Sequence, residues 1–171
     1  DYRTLSRDMD YRHAFAAGCL AVNQTEADLL TLGISAPDPS ESRTLKPTSH
    51  EIKALRVAPG QLWFDFRDLC ESLTSTLDYL ELAKDHKHWV ISDVPASAGM
   101  TPFGLRRLAN TIDVLYDHGI RLDLLANGDF SDSLNHLPSL DAARLESRLN
   151  ALQLRDGTQE ATEQLVEGVN A

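Results

Sequence analysis

The sequence predicts an α/β fold with a three-layer-like arrangement of helices and sheet. Residues 89–125 show the pattern of a strand, a helix of about four turns and a second strand, which is the βαβ unit of a parallel sheet. An aromatic-rich β-hairpin precedes this unit, and an amphipathic C-terminal helix follows it.

The first third of the chain has weaker signals. Residues 1–13 are polar and charged, and no committed element is predicted there. Residues 15–22 are an apolar run with an internal glycine, for which strand and buried helix both stay open, because periodicity does not separate them. Thr25 and Asp28 have capping-box spacing, which predicts a helix ending at Gly33. Residues 35–49, with three prolines, indicate a loop or linker.

A hairpin is predicted next. Residues 50–58 alternate between polar and apolar side chains, Pro59-Gly60 is a turn dipeptide, and residues 62–66 form an aromatic-rich second strand. The period then becomes helical, with Thr74 or Ser75 as the cap. The inner face of that helix is predicted to contain Leu77, Tyr79, Leu80 and Ala83.

The βαβ unit follows. Residues 89–91 form a compact strand that Asp93 and Pro95 close. Thr101 is an N-cap candidate with proline at the next position, and Gly119 is a stop signal. Residues 120–124 then alternate as a strand, which is expected to be parallel to the first. The apolar side chains of the helix recur at helical spacing, at Leu105, Leu108, Ile112 and Leu115.

Three segments are expected from this pattern. Residues 1–126 form the main unit, residues 127–154 contain an appended amphipathic helix, and residues 155–171 are an acidic tail that is expected to be disordered. The apolar face of the appended helix consists of Ala142, Leu145, Leu149 and Leu152. A first residue other than Met suggests a piece excised from a longer protein.

Composition excludes several classes of protein. The chain has 171 residues, and 16 Lys and Arg against 26 Asp and Glu give a net charge of −10. That charge repels nucleic-acid phosphates and anionic membrane surfaces, so neither is an expected partner. No apolar run approaches a membrane span, and insertion into a membrane is not expected. Cys19 and Cys70 are too few for a disulfide framework and suit a reducing, cytoplasmic compartment.

The sequence contains no complete catalytic motif. It has no G-x-x-x-x-G-K-[S/T], G-x-G-x-x-G, G-x-S-x-G, C-x-x-C or H-E-x-x-H. His86-x-His88 lacks further ligand signals, so a solvated loop is expected there and no metal site. Asp93 ends a strand where nucleotide enzymes hold Mg²⁺, but no second acid follows it in the sequence, which favours a turn residue.

Two arginines stand out on the predicted 101–118 helix. Arg106 belongs to a polar stripe, whereas Arg107 lies on the apolar border near Phe103, Thr111 and Val114. A guanidinium at such a border suits a carboxylate or phosphate on a neighbouring surface, and a structural role is the alternative. The aromatic side chains Trp63, Phe64 and Phe66, together with Cys70, are expected in the core rather than in a binding platform.

The order of these motifs resembles the C-terminal part of the ZapE-type P-loop ATPases. This AAA-like family includes the bacterial cell division protein ZapE and the mitochondrial lactation-elevated protein. The resemblance covers about residues 1–126. The motifs that carry it are, in chain order, DYR, LWFDFRDLCES, LDYLELA, a short strand ending in VP, LRRLANTIDVLYD and IRLDLLA. Leu108-Ala109 departs from the family's Phe-Ile. The matching positions include Phe64, Phe66, Leu69, Cys70, Asp78, Tyr79, Pro95, Arg106, Arg107, Asp113, Tyr116, Asp117 and Leu122.

The resemblance implies ATP hydrolysis, with ATP and Mg²⁺ as ligands. In the family the P-loop and the Walker B acids precede the DYR, so this activity is expected of the parent protein and not of the present chain. No cofactor is expected for this chain alone. The implied partners are the rest of the ATPase chain and cell division proteins. Arg106 and Arg107 become candidates for contact with nucleotide or a neighbouring subunit, and the other matched positions are structural. The alternative is an autonomous α/β protein-interaction domain without nucleotide chemistry.

Overall fold

A mostly parallel sheet organises the computed structural model, which describes residues 14–157. The strands in this range are β1 (Cys19–Val22), β2 (Arg43–Leu45), β3 (Ile52–Ala54), β4 (Arg56–Ala58), β5 (Gln61–Asp65), β6 (His88–Val94), β7 (Arg121–Ala126) and β8 (Gln153–Asp156). Six of them form one sheet in the order β4-β5-β6-β7-β1-β8, in which only β4 runs antiparallel to its neighbour. β2 and β3 form a separate antiparallel pair.

The helices are α1 (Glu26–Thr31), α2 (Phe66–Cys70), α3 (Thr76–Ala83), α4 (Pro102–Asp117) and α5 (Ser139–Ala151). Short 3₁₀ helices lie at Pro39–Glu41, Ser97–Gly99 and Ser131–His136. These elements confirm the predicted α/β class, with its hairpin, its βαβ unit β6–α4–β7 and its C-terminal helix. None of the helices in residues 14–157 is long and apolar enough to cross a membrane.

The two faces of the sheet are covered unequally. Phe64, Ile91 and Leu124 point to the face on which α2, α3, α4 and α5 pack, and they belong to the main apolar cluster. Trp63 and Val90 point the other way, into a smaller cluster with α1. Covering both faces is the normal requirement of a parallel sheet, because strands buried on both sides exclude water from their backbone.

Several local expectations are confirmed. The Thr25–Asp28 capping box starts α1, and Thr101 accepts a hydrogen bond from the Gly104 backbone at the start of α4. Trp63, Phe64, Phe66 and Cys70 are all buried, as a core role requires. Phe66 opens α2 rather than ending the strand.

Residues 15–22 contain both of the elements left open by the sequence: Phe15 and Ala16 are helical, and Cys19–Val22 form the strand β1. β1 begins directly after Gly18 and pairs with β7 on one side and β8 on the other. A Cβ built on Gly18 would lie 1.8 Å from the Leu122 carbonyl oxygen, so only glycine allows β1 to approach β7 at this point. The internal glycine therefore marks a close backbone contact rather than a break.

Three expectations in the middle of the chain are wrong. The single strand predicted over residues 50–58 is divided into β3 and β4, which belong to different sheets. The loop predicted over residues 35–49 contains β2. The predicted inner face of the 74–83 helix is wrong at Leu77, which is 68% exposed. Tyr79 and Ala83 are buried as predicted, and α3 also buries Asp78 and Leu82.

The C-terminal region differs from an appended helix followed by a tail. Leu145 of α5 and Leu152 belong to the main apolar cluster, and β8 then adds a strand to the sheet beside β1. Residues 155 and 156, which were expected in the disordered tail, are the end of β8. The rest of that expectation, from residue 158 onward, lies outside the described residues, as does the segment 1–13.

Candidate functional site

Two aspartates meet at the carboxyl ends of neighbouring parallel strands. Asp65 is the last residue of β5 and pairs in register with Ser92 of β6, so Asp93 lies beside it. The β6–β7 pairing is irregular between Ile91 and Val94, and Asp93 has a φ of 55°, in the left-handed region. The expectation of a plain turn residue at Asp93 missed this pairing, because the second acid comes from the adjacent strand.

The environment of Asp65 disfavours its charged form. Burial raises the pKa of Asp65 above its ordinary value, and the neighbouring Asp93 carboxyl raises it further. One opposing contact is the hydrogen bond that the Arg67 backbone N–H donates to Asp65 Oδ1 at 2.8 Å, at the N-cap of α2. Two carboxyl groups in this relation can hold a shared proton or accept hydrogen bonds from a cationic donor.

These aspartates lie in a cleft along the carboxyl edge of the sheet. It consists of two adjoining hollows of about 520 and 530 Å³ that share Lys53, Asp93 and Asn127, and we call it the carboxyl-edge cleft. In open α/β sheets, ligands bind outside the carboxyl ends of the strands. Its floor is braced by Trp63, whose Nε1 donates a hydrogen bond to Ser92 Oγ at 2.9 Å.

The connections that leave β1 and β7 go to opposite faces of the sheet. β1 continues into α1 on the thinly covered face, whereas β7 continues toward α5 on the helical face. Gln24 follows β1 and Asn127 follows β7, and both line the carboxyl-edge cleft. A cleft where neighbouring connections diverge is the usual ligand position of this architecture.

The sequence profile of the AFG1-like ATPase family matches residues 1–160. The chain belongs to the AFG1-like ATPases. The Schizosaccharomyces pombe protein named "Uncharacterized protein C115.02c" is 26% identical over 120 residues, which are 70% of this chain and 26% of that protein. The chain therefore spans about a quarter of the length of this curated relative. No solved structure matches the chain significantly.

The described part of this AFG1-like ATPase does not fit an ATP–Mg²⁺ site. No group of three or more His, Cys, Asp and Glu side chains within residues 14–157 is placed to hold a metal ion. One hollow of the carboxyl-edge cleft sets four acidic side chains against Lys53 and Arg67, which is an unfavourable environment for a triphosphate. No step of ATP hydrolysis is therefore assigned to these residues.

The two candidate arginines of α4 point to different neighbours. Arg106 Nη1 lies 3.2 Å from Asp141 Oδ2 of α5, and the side chain stays 40% exposed. Arg107 donates from Nε to the Thr74 carbonyl oxygen at 3.1 Å, and its guanidinium lies 3.5 Å above the Phe103 ring. Arg107 thus links α4 to the loop before α3, while Arg106 links α4 to α5. A contact of either one with nucleotide or a neighbouring subunit stays a prediction.

The matched motif residues occupy the core and its helix contacts. Buried Asp78 accepts a hydrogen bond from the Ser75 backbone N–H at 2.9 Å and closes the N-terminus of α3. The Tyr79 hydroxyl lies 2.6 Å from Thr74 Oγ1, and Phe64, Phe66 and Cys70 are buried. On the other side of α4, Asp113 is paired with Arg148 of α5. The same guanidinium lies 4.7 Å from the centroid of the Tyr116 ring.

A buried ionic cluster at the amino edge of the sheet was not predicted. Asp123 is fully buried on β7, where it receives a hydrogen bond from the Cys19 backbone N–H at 3.0 Å, and its Oδ2 lies 2.5 Å from His88 Nε2. Arg121 Nη2 lies 3.3 Å from the same oxygen. The expectation of a solvated loop is therefore wrong for His88, which is the first residue of β6.

This cluster does not have the arrangement of a nucleophilic triad. Asp123 lies between Cys19 and His88, so the histidine is not placed to take the thiol proton. Burial and the Asp123 carboxylate raise the pKa of Cys19 to about 12, which keeps the thiol protonated and unreactive. The sequence signal for the cluster was an aspartate inside an apolar strand, in the run RLDLLA.

Proposed function

We propose that this chain is the C-terminal portion of a ZapE-type ATPase whose P-loop and Walker B acids lie in sequence that precedes residue 1. The supporting observation is that the family profile matches residues 1–160, although the sequence contains no G-x-x-x-x-G-K-[S/T]. The proposal also agrees with the share of the curated relative that the chain spans, 26%.

In this proposal the parent protein binds ATP with Mg²⁺ and uses its hydrolysis to act on a protein partner in the cytoplasm. In bacteria, the partner belongs to the cell division machinery. The α/β unit described above belongs to this parent chain. The rest of the ATPase chain is its first partner, and nucleic acid is not expected as one because the net charge is −10.

Calorimetric titration with Mg-ATP tests whether the ATP site lies outside the 171-residue chain. The 171-residue chain is expected to give no heat of binding at micromolar ligand, because phosphate binding needs convergent backbone N–H groups and usually a lysine. The longer protein is expected to bind and hydrolyse ATP. Micromolar affinity of the 171-residue chain would contradict the proposal.

We also propose that Arg106 or Arg107 contacts nucleotide phosphate or an acidic edge of a neighbouring subunit in the parent protein. An arginine placed on developing phosphate charge accelerates transfer by ~10³-fold or more. Arg106→Ala and Arg107→Lys in the longer protein are therefore expected to reduce turnover at unchanged melting temperature. Arg107→Lys retains the charge and loses the planar fork. Wild-type turnover in both variants would assign the two residues a structural role.

A second candidate function is an autonomous protein-interaction domain without nucleotide chemistry. It is favoured by one observation, which is that residues 14–157 build a six-stranded sheet with its own apolar core and cleft. The coding sequence upstream of Asp1 separates the two candidates. An in-frame G-x-x-x-x-G-K-[S/T] supports the ATPase, whereas a stop codon or an unrelated domain supports the interaction domain.

A further inference from the structure

Within residues 14–157, the outer end of the sheet has a groove beside β8 that no described element covers. Leu20 of β1 and Leu154 of β8 are register partners that form its floor, and Leu154 is 57% exposed. One side of α5 forms a wall, and the loop after β7 closes the end. The enclosed volume is about 560 Å³, and we call this feature the β8 groove.

The shape of the β8 groove matches a helix. α4 and α5 lie side by side on this face of the sheet, so a further helix beside α5 would continue the layer over β1 and β8. The wall residues on α5 have helical spacing, at Ala142, Glu146, Leu149 and Asn150. β8 has four residues, which corresponds to a helix of about ten residues lying along it.

The charge around the β8 groove selects the chemistry of its occupant. Three acids, Asp129, Glu146 and Asp156, line the groove together with apolar side chains. Within residues 14–157, no lysine or arginine lines it. An amphipathic helix with leucine-like side chains on one face and lysine or arginine at its borders complements both features.

The chain's own segments are poorer candidates. Residues 158–171 contain three glutamates and no lysine or arginine, so they would bring like charge to the groove. Residues 1–13 contain three arginines balanced by three aspartates. α4 and α5 each contain two arginines and two acids, and α3 contains two acids and no base, so a second copy offers no basic helix from these elements.

We infer that the β8 groove is a docking site for a basic amphipathic helix of another polypeptide. This inference is independent of the proposed ATPase activity, because it uses no nucleotide and no residue of the carboxyl-edge cleft. Affinity comes from burying Leu20 and Leu154, and the acidic border supplies orientation and specificity.

The test uses the 171-residue chain and a fluorescein-labelled peptide of about 14 residues, made of leucine and lysine with the leucines on one helical face. Fluorescence anisotropy measures its Kd. A peptide of equal composition with dispersed leucines is expected to bind about tenfold more weakly or worse, because it cannot fill the apolar floor.

Two variants and one matched control test whether the peptide binds in the β8 groove. Leu154→Asn and Glu146→Lys are each expected to weaken binding about tenfold, and both side chains are exposed enough to leave the fold intact. Glu51→Lys changes the net charge equally at an exposed position outside the groove and is expected to change Kd less than about twofold. Melting temperatures check that all three variants fold.

Several results would overturn the inference. Equal weakening by Glu146→Lys and Glu51→Lys would indicate general attraction to an acidic protein. An unchanged Kd in Leu154→Asn, or no binding of the amphipathic peptide, would exclude this groove. Tighter binding of a basic strand-forming peptide would assign the open edge of β8 instead. Tighter binding after deletion of residues 158–171 would identify that segment as the occupant.

Discussion

The buried cluster around Asp123 gives the sharpest stability prediction. Asp123 is 1% exposed at its side chain, while its partners His88 and Arg121 are 22% and 40% exposed. Asp123→Asn keeps the shape of the side chain and removes its negative charge. That charge pairs with His88 and Arg121 and accepts a hydrogen bond from the Cys19 backbone N–H. Breaking a buried ion pair costs ~3–5 kcal/mol, and the partial exposure of the two cations favours the lower end, about 3 kcal/mol. At ~2–4 °C per kcal/mol, the melting temperature should fall by about 6–12 °C.

The pH dependence of this effect has a definite sign. Burial raises the pKa of Asp123, but the His88 hydrogen bond and the Arg121 charge outweigh it and hold the pKa below its ordinary value. A lowered carboxylate pKa stabilises the fold above the unfolded pKa of ~3.9, and this contribution disappears as pH falls through the folded value. The stability difference between wild type and Asp123→Asn should therefore shrink in acid.

Urea denaturation at pH 7 and at several values below pH 4 measures that difference. Asp132→Asn, at an exposed position in the 3₁₀ helix after β7, is the matched control and should change stability by less than about 0.5 kcal/mol. A loss of under about 1 kcal/mol at pH 7 for Asp123→Asn, or a difference that stays constant into acid, would refute the assignment of a stabilising ionic cluster.

Three further predictions follow from burial and charge. Phe66→Ala should destabilise the fold by about 3–5 kcal/mol in urea denaturation, because the Phe66 side chain is 2% exposed. Phe103 is 49% exposed, so the control Phe103→Ala should cost under about 1 kcal/mol. Asp65→Asn should leave stability unchanged or raise it by under about 1 kcal/mol at pH 7, and a loss at pH 7 would contradict this. The gain should shrink as pH falls through the raised folded pKa and vanish near the unfolded value of ~3.9, where both states bind the proton. Thiol labelling at pH 8 should modify Cys19 and Cys70 only at the rate of unfolding, because burial raises both pKa values, and rapid labelling of the native protein would contradict it.

Local signals in the sequence predicted the elements that local interactions determine. The Thr101 cap, the proline after it and the regular apolar spacing located α4 within one residue at each end. The Thr25–Asp28 capping box did the same for α1. In both cases the hydrogen bonds that start the helix lie within four residues of the chain, so the pattern contains the whole interaction.

Elements that depend on distant partners were missed. β8 has the sequence QLRD, which has no strand signal, and it forms because β1 offers it a free edge more than 130 residues away in sequence. The division of residues 50–58 into β3 and β4 depends on pairing with β2 and β5. The partner of Asp93 was missed for the same reason, because Asp65 reaches it through the register of β5 against β6.

The acids at the two edges of the sheet have pKa values shifted in opposite directions. At the amino edge, Asp123 has a histidine, an arginine and a backbone N–H as partners, and its pKa is lowered, so the charge stabilises the fold. At the carboxyl edge, burial and Asp93 raise the pKa of Asp65, so its charged form opposes folding. Asn caps a helix as well as Asp, so Asp65→Asn would remove this unfavourable charge and keep the cap of α2. Asp65 and Asp93 line the cleft at the edge where open α/β sheets bind ligands, so Asp65→Asn and Asp93→Asn are the substitutions that test whether a ligand binds there.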